Sequence, residues 1–250
     1  MDTNFWEFSI YFPRELLCYF ETLKTSLKSI LKDTPSCLNM SIVGDDYCFL
    51  IAMTKDMYSK NIMFLKEQIA EIIMLYYKPK IIINSIKNFD AKSHDNVILI
   101  DILTSFDFSE DTNDIISQLS FCGKIYINSF VYFKLQKLVK SWLETGELIN
   151  QNSLFMTDGS VKKELMKFLM NGIVSKLESI KLMIKNKKIC FSLPILTQPL
   201  HYFIYDYDAV LFSLIKNYPK RIEVEDYKNF DVQFLQNLHE VFNDKLVLIE

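Results

Sequence analysis

The spacing of apolar residues changes along this chain, and that change limits the folds open to it more than any single motif does. Phe5 to Phe12 is an aromatic, β-prone run ended by Pro13, and Arg14 to Lys32 then carries Leu16, Tyr19, Phe20, Leu23, Leu27, Ile30 and Leu31 at helical spacing. Two short apolar runs, Cys37 to Val43 and Tyr47 to Met53, flank the turn signal Gly44-Asp45-Asp46, so the N-terminal part reads as a βαββ unit. Helical spacing returns at Tyr58 to Tyr77, where Pro79 is expected to stop the helix because it lacks an amide proton and clashes with the preceding turn. Ile81 to Phe89 and Val97 to Phe106 read as helices, as does Asp114 to Leu119. Asn128 to Glu144 is the clearest helix, with the stripe Val131, Leu135, Leu138 and Trp142. Val161 to Asn171 is again helical.

Beyond that point the period becomes two. Ile180, Leu182 and Ile184 alternate with polar residues, Lys185 to Lys188 offers a turn, and Ile189, Phe191 and Leu193 alternate on the far side, which is a hairpin signature. Asp208 to Tyr218 reads as a helix closed by Pro219. Arg221 to Glu225 and Lys245 to Ile249 read as strands joined by a helix over Asp231 to Phe242, capped by Asp231, and such a crossover makes the two strands parallel. The fold class is therefore α+β: an N-terminal βαββ unit, a helical middle, and a C-terminal α/β subdomain of β-hairpin plus βαβ. The polar stretch from Gly146 to Gly159 is the best boundary. It separates an N-terminal α+β and helical region, 1–150, from a C-terminal α/β subdomain, 151–250, and the two are free to pack as one continuous domain. Tyr77 to Asp90 also echoes Tyr218 to Asp231 without a gap, although AT-rich codon bias produces such matches cheaply.

Composition removes several function classes. With 28 basic and 31 acidic side chains the net charge is −3, short of the basic footprint that many phosphate contacts require. The five glycines all stand more than three residues apart, so neither a dinucleotide-binding fingerprint nor a P-loop can be written. Five scattered cysteines, Cys18, Cys37, Cys48, Cys122 and Cys190, form no zinc or disulfide framework and read as small hydrophobes. No run reaches the roughly 18 apolar residues of a membrane span, and the start has acids where a secretory signal has lysines. A cytoplasmic, reduced protein is expected.

The segment Ile127-Asn-Ser-Phe-Val-Tyr-Phe-Lys-Leu-Gln resembles the entry to the central helix of the YtxC-like family, sporulation-associated proteins of endospore-forming bacteria. That family writes Phe-Val, one variable residue, then Phe-Arg-Leu-Lys; Lys134 stands here for the arginine and Gln136 for the lysine. Leu211 to Ile222 is similar to the family's helix ending in Ala-Pro-Lys-Lys-Ile, and Asn229-Phe230 and Val241-Phe242-Asn243-Asp244 follow where the family has Asn-Phe and Val-Phe-Gly-Asp. The chain departs in a shortened middle around Asn152 to Gly159 and lacks the family's cysteine-containing end. The resemblance implies a sporulation context and carries no catalytic residue or cofactor.

Three constellations bear chemistry. Phe203-Ile-Tyr-Asp-Tyr-Asp resembles the aspartate loop of haloacid-dehalogenase phosphatases, but 42 residues after Asp208 leave little room for the rest of such a site; helix capping is the plainer reading. Glu223 and Glu225 share a strand face with Asp226 at its end. Together with Asp206 or Asp208 they form a candidate acidic cluster, set against a solvated strand face. Lys134, Lys137 and Lys140, interleaved with Tyr132, Phe133 and Trp142, form a candidate partner or nucleic-acid face, set against an ordinary solvated helix face. His94, His201 and His239 have no second ligand at metal spacing, and Thr157-Asp-Gly-Ser is a turn with a helix cap. The expectation is a non-enzymatic protein acting through contacts with a protein partner, without catalytic residues, metal or cofactor. A nucleic-acid factor using the lysine face is the first rival, and a metal-dependent phosphate enzyme the second.

Overall fold

In the computed structural model, which describes residues 5–32, 34–152, 158–173, 175, 177–192, 200–203 and 207–250, the N-terminal pattern becomes β1 (Phe5–Pro13), α1 (Leu17–Leu31), β2 (Ser36–Val43) and β3 (Asp46–Thr54). Gly44 makes the β2–β3 turn at φ 62°, a conformation glycine adopts without steric cost. Next come α2 (Lys55–Ser85), α3 (His94–Ser105), α4 (Phe108–Gln118), β4 (Gly123–Tyr126), α5 (Ile127–Lys134) and α6 (Gln136–Gln151). The remainder is α7 (Gly159–Gly172), β5 (Ser179–Lys185), β6 (Lys188–Ser192), β7 (Leu200–Phe203), α8 (Tyr207–Asn217), β8 (Arg221–Glu225), α9 (Val232–Phe242) and β9 (Leu246–Ile249). The architecture is α+β, with two mixed sheets of order β2-β3-β1-β4 and β7-β6-β5-β8-β9. Two compact units divide the chain: Met1–Ser85 with Ser109–Gly146, and Ile86–Phe108 with Glu147–Glu250.

In the first unit, β1 runs antiparallel to β3 and parallel to β4. Phe8, Ile10 and Phe12 are buried in the core with Phe20 and Leu23 of α1 and Phe49 and Ile51 of β3, where the Phe12 ring meets those of Phe20 and Phe49 edge-on. Strand β4 is short and escapes a reading by period; the left-handed Gly123 (φ 80°) starts it. Pro79 does not stop α2, which continues to Ser85. Tyr77, Lys78, Ile81 and Ile82 are buried on either side of the proline, and burial of this kind outweighs the roughly 3 kcal/mol that an interior proline costs.

Gly146 lies inside α6 rather than in a loop, and glycine is required there because a Cβ would collide with Ser85 Oγ and come within 2.8 Å of the Ile82 carbonyl. Its absence lets α6 cross the end of α2. The helix expected over Asn128 to Glu144 is interrupted at Leu135, whose amide donates to the carbonyls of both Phe130 (3.3 Å) and Val131 (3.2 Å), a locally widened turn. Lys78, 4% exposed, donates to Asp111 Oδ2 at 2.8 Å, and Trp142 Nε1 donates to the same oxygen at 2.9 Å.

In the second unit, Asn186 and Lys187 take positive φ (50° and 60°) between β5 and β6, the backbone of a primed two-residue hairpin turn. Strand β7 adds antiparallel to β6, while β8 and β9 run parallel to β5 and to each other, as a crossover through α9 requires. Asp231 caps α9 by accepting from the Phe234 amide at 3.0 Å, and Asp158 caps α7 by accepting from the Ser160 amide at 2.9 Å. The echo between Tyr77 to Asp90 and Tyr218 to Asp231 has no structural counterpart: Ile81 is helical in α2, whereas Ile222 is in strand β8. Cys48 and Cys190 are buried, but Cys18, Cys37 and Cys122 are exposed, so three of the five do not serve as core hydrophobes. Among the described residues no helix is long and apolar enough to cross a membrane.

Candidate functional site

A cleft of about 510 Å³ opens where β4, the edge strand of the first unit's sheet, runs directly into α5. Its floor comes from the strand. Ile125 is buried at 8% exposure, while Lys124 and Tyr126 on either side are exposed, because successive residues point to opposite faces. Tyr126 is held by Tyr11 of the neighbouring strand, the two rings stacked at 4.2 Å and 12°. Parallel registry of β1 and β4 puts these residues side by side. Cys122 stands at the mouth next to the buried Phe121, its Sγ 3.3 Å from Ser120 Oγ.

The wall comes from α5. Val131 and the mostly buried Phe130 fasten the helix, so Ser129, Phe133 and Lys134 line the open side. Phe133 is 72% exposed, an unusual placement for a phenylalanine with a core beside it. Lys124 and Lys134 are the charged groups of the lining, and no carboxylate is among them. An aromatic ring beside two lysines, in a lining without a carboxylate, suits an apolar group flanked by negative charge.

The predicted lysine face is thereby divided. Lys134 precedes the widened turn and joins Lys124 in the cleft. Lys137 and Lys140 follow it on the exposed side of α6, opposite buried Leu138 and Trp142, and Lys140 pairs with Glu144 at 3.6 Å. Tyr132 is 43% exposed, its ring set edge-on to Tyr77 at 6.2 Å. Lys124 and Tyr126 went unnoticed in the sequence; Gly123 followed by the β-prone Ile125 and Tyr126 was the available signal.

The acidic candidates are distributed differently. Glu223 meets Arg221 at 2.9 Å and Lys181 at 3.6 Å, and Glu225 meets Lys181 at 3.0 Å. Both carboxylates are therefore occupied across the β5–β8 pair. Asp226 is exposed in a left-handed turn (φ 51°). Asp206 lies outside the described residues. Asp208, exposed in the first turn of α8, faces not this group but Asp101 of α3. Burial, reinforced by the Asp208 charge, pushes the Asp101 carboxyl up to about 7 because the charged form is poorly solvated there. A lone acid within the apolar run Ile98 to Leu103 was its signal in the sequence. Among the described residues no three metal-binding side chains converge.

Comparison with protein-family models, with curated proteins and with solved structures found no match.

Proposed function

We propose that this protein acts through protein contacts, holding a partner segment in the cleft between β4 and α5. The observation that carries this reading is Phe133, 72% exposed between Lys124 and Lys134 in a lining free of carboxylates. Edge strands accept an added strand through main-chain hydrogen bonds, and neighbouring pockets supply the selectivity. The partner segment is accordingly extended, with an apolar side chain for the Phe133 wall and acidic residues for the two lysines. The residues resembling the YtxC-like phrase support the context, since Phe130, Phe133 and Lys134 of that phrase line the cleft. The role is thus a cytoplasmic, sporulation-associated, non-enzymatic one.

The test is affinity capture from the native cell at the start of sporulation, with and without nuclease, comparing the wild-type chain with Phe133→Ala/Lys134→Glu. A protein retained after nuclease by the wild type and lost by the double variant supports the reading. Recovery that vanishes on nuclease treatment favours the nucleic-acid reading, in which the exposed aromatics stack bases beside the lysines.

A further inference from the structure

The opposite edge of the first unit's sheet is built differently, and it carries an inference independent of the cleft. Strand β2 has the open side there, and its residues Ser-Cys-Leu-Asn-Met-Ser-Ile-Val include no charge, proline or glycine. Its pairing with β3 is unbroken from Ser36 to Val43, so no bulge twists the edge away. The other edge strands, β4, β7 and β9, are four residues each, half the length of β2. Natural edges are normally shortened, bulged or charged to prevent pairing with another chain; β2 has none of these protections. The Met40 amide donates to Oδ1 of the preceding Asn39 at 2.8 Å and not to β3, so the backbone groups of Leu38, Met40 and Ile42 face outward, and an incoming strand exchanges this local bond for one to its own carbonyl. Ile42 and Val43 are 63% and 49% exposed.

We infer that β2 pairs antiparallel with β2 of a second copy of this chain, joining the two four-stranded sheets edge to edge. The occupant follows from the strand's composition. A two-fold axis through Met40 sets Met40 opposite its own copy and Leu38 opposite Ile42, all three with outward backbone groups. Asn39 then stands opposite Ser41, and Cys37 opposite Val43, on the other face. Apolar meets apolar, polar meets polar, and no like charges oppose each other.

The register supplies the test. Cys37 and residue 43 become a non-hydrogen-bonded pair with Cα atoms about 4.5 Å apart, within disulfide reach. In a single strand, six residues separate them by about 20 Å. Mild oxidation of full-length Val43→Cys should therefore yield a dimer whose peptide map contains the 37–43 linkage, absent from wild type. Sedimentation of the wild-type chain from about 1 to about 200 μM should show a concentration-dependent dimer. Ile42→Lys, at a solvated position that leaves the fold intact, should weaken the dimer at least tenfold, roughly the loss of two cross-strand pairs. A monomer throughout that range, or a dimer indifferent to Ile42→Lys and lacking the 37–43 linkage, would overturn the inference.

Discussion

Two lysines are buried to nearly the same depth in the two units and are held in different ways. Lys78 of α2 is 4% exposed and Lys162 of α7 is 5% exposed. Lys78 meets a carboxylate, Asp111, whose oxygen also accepts from Trp142. Lys162 meets an amide, its Nζ donating to Asn96 Oδ1 at 2.7 Å. The first arrangement balances charge and binds α2, α4 and α6 together; the second, among the described residues, satisfies a hydrogen bond without a carboxylate. The second unit also buries hydroxyls that have no partner among the described residues. Thr104 and Ser105 lie at i+3 and i+4 from Asp101 on one side of α3, and those are the two hydroxyls concerned. In the first unit the Tyr77 hydroxyl is buried in that way, and burial pushes its pKa well above the usual tyrosine value. The comparison teaches that burial depth alone does not measure what a charge contributes; its partner decides.

Removing one member of the balanced set should have the largest effect. Asp111→Ala takes the carboxylate away from the buried Lys78 ammonium and from the Trp142 N–H, and it should cost about 3–5 kcal/mol in urea unfolding. Lys78→Met should cost a similar amount, because it leaves the buried carboxylate without its counter-charge, held by the neutral Trp142 N–H. A loss below about 1 kcal/mol for both variants would break the comparison. Next in size is a pH effect in the second unit. The Asp101 carboxyl titrates at about 7 in the folded chain against roughly 3.9 when unfolded, so between those values the folded state binds the extra proton. Stability from this group is fully present below about pH 4 and is lost as pH rises through 7, a fall of roughly 2–4 kcal/mol. Asp101→Asn should flatten that profile, measured by thermal melts at pH 5 and pH 8. The smallest effect is expected at the other lysine: Lys162→Met should change stability by no more than about 1 kcal/mol, since relief of an unbalanced charge offsets the Asn96 contact.

Elements whose signal is local were legible in the sequence. The βαββ start, the hairpin about Asn186-Lys187, the Asp231 cap and the parallel β8–α9–β9 crossover follow from period, turn residues and caps within a few positions. What was hidden depends on distant neighbours. Pro79 sits in a helix because tertiary burial overrides a local penalty, and Gly146 looks like a loop residue until Ser85 and Ile82 are beside it. The widened turn at Leu135 leaves no mark in the spacing of Val131, Leu138 and Trp142, yet it separates Lys134 from Lys137 and Lys140. Half of the cleft was visible as the α5 face; the β4 half was too short to carry a period. The acidic residues near Glu223 were legible as neighbours along the chain, but Lys181 arrives from β5 and occupies them, while Asp101 reaches Asp208 from more than a hundred positions away.

The central claim is that Phe133 faces a protein partner. A photo-crosslinking residue at position 133 of the full chain, irradiated in the native cell, tests it most directly. Phe133 is 72% exposed, so the exchange should leave stability within about 0.5 kcal/mol. The account predicts a discrete protein adduct, resistant to nuclease, that disappears when Lys124→Glu and Lys134→Glu are added. Adducts to nucleic acid alone, or a protein adduct indifferent to both lysines, would contradict it.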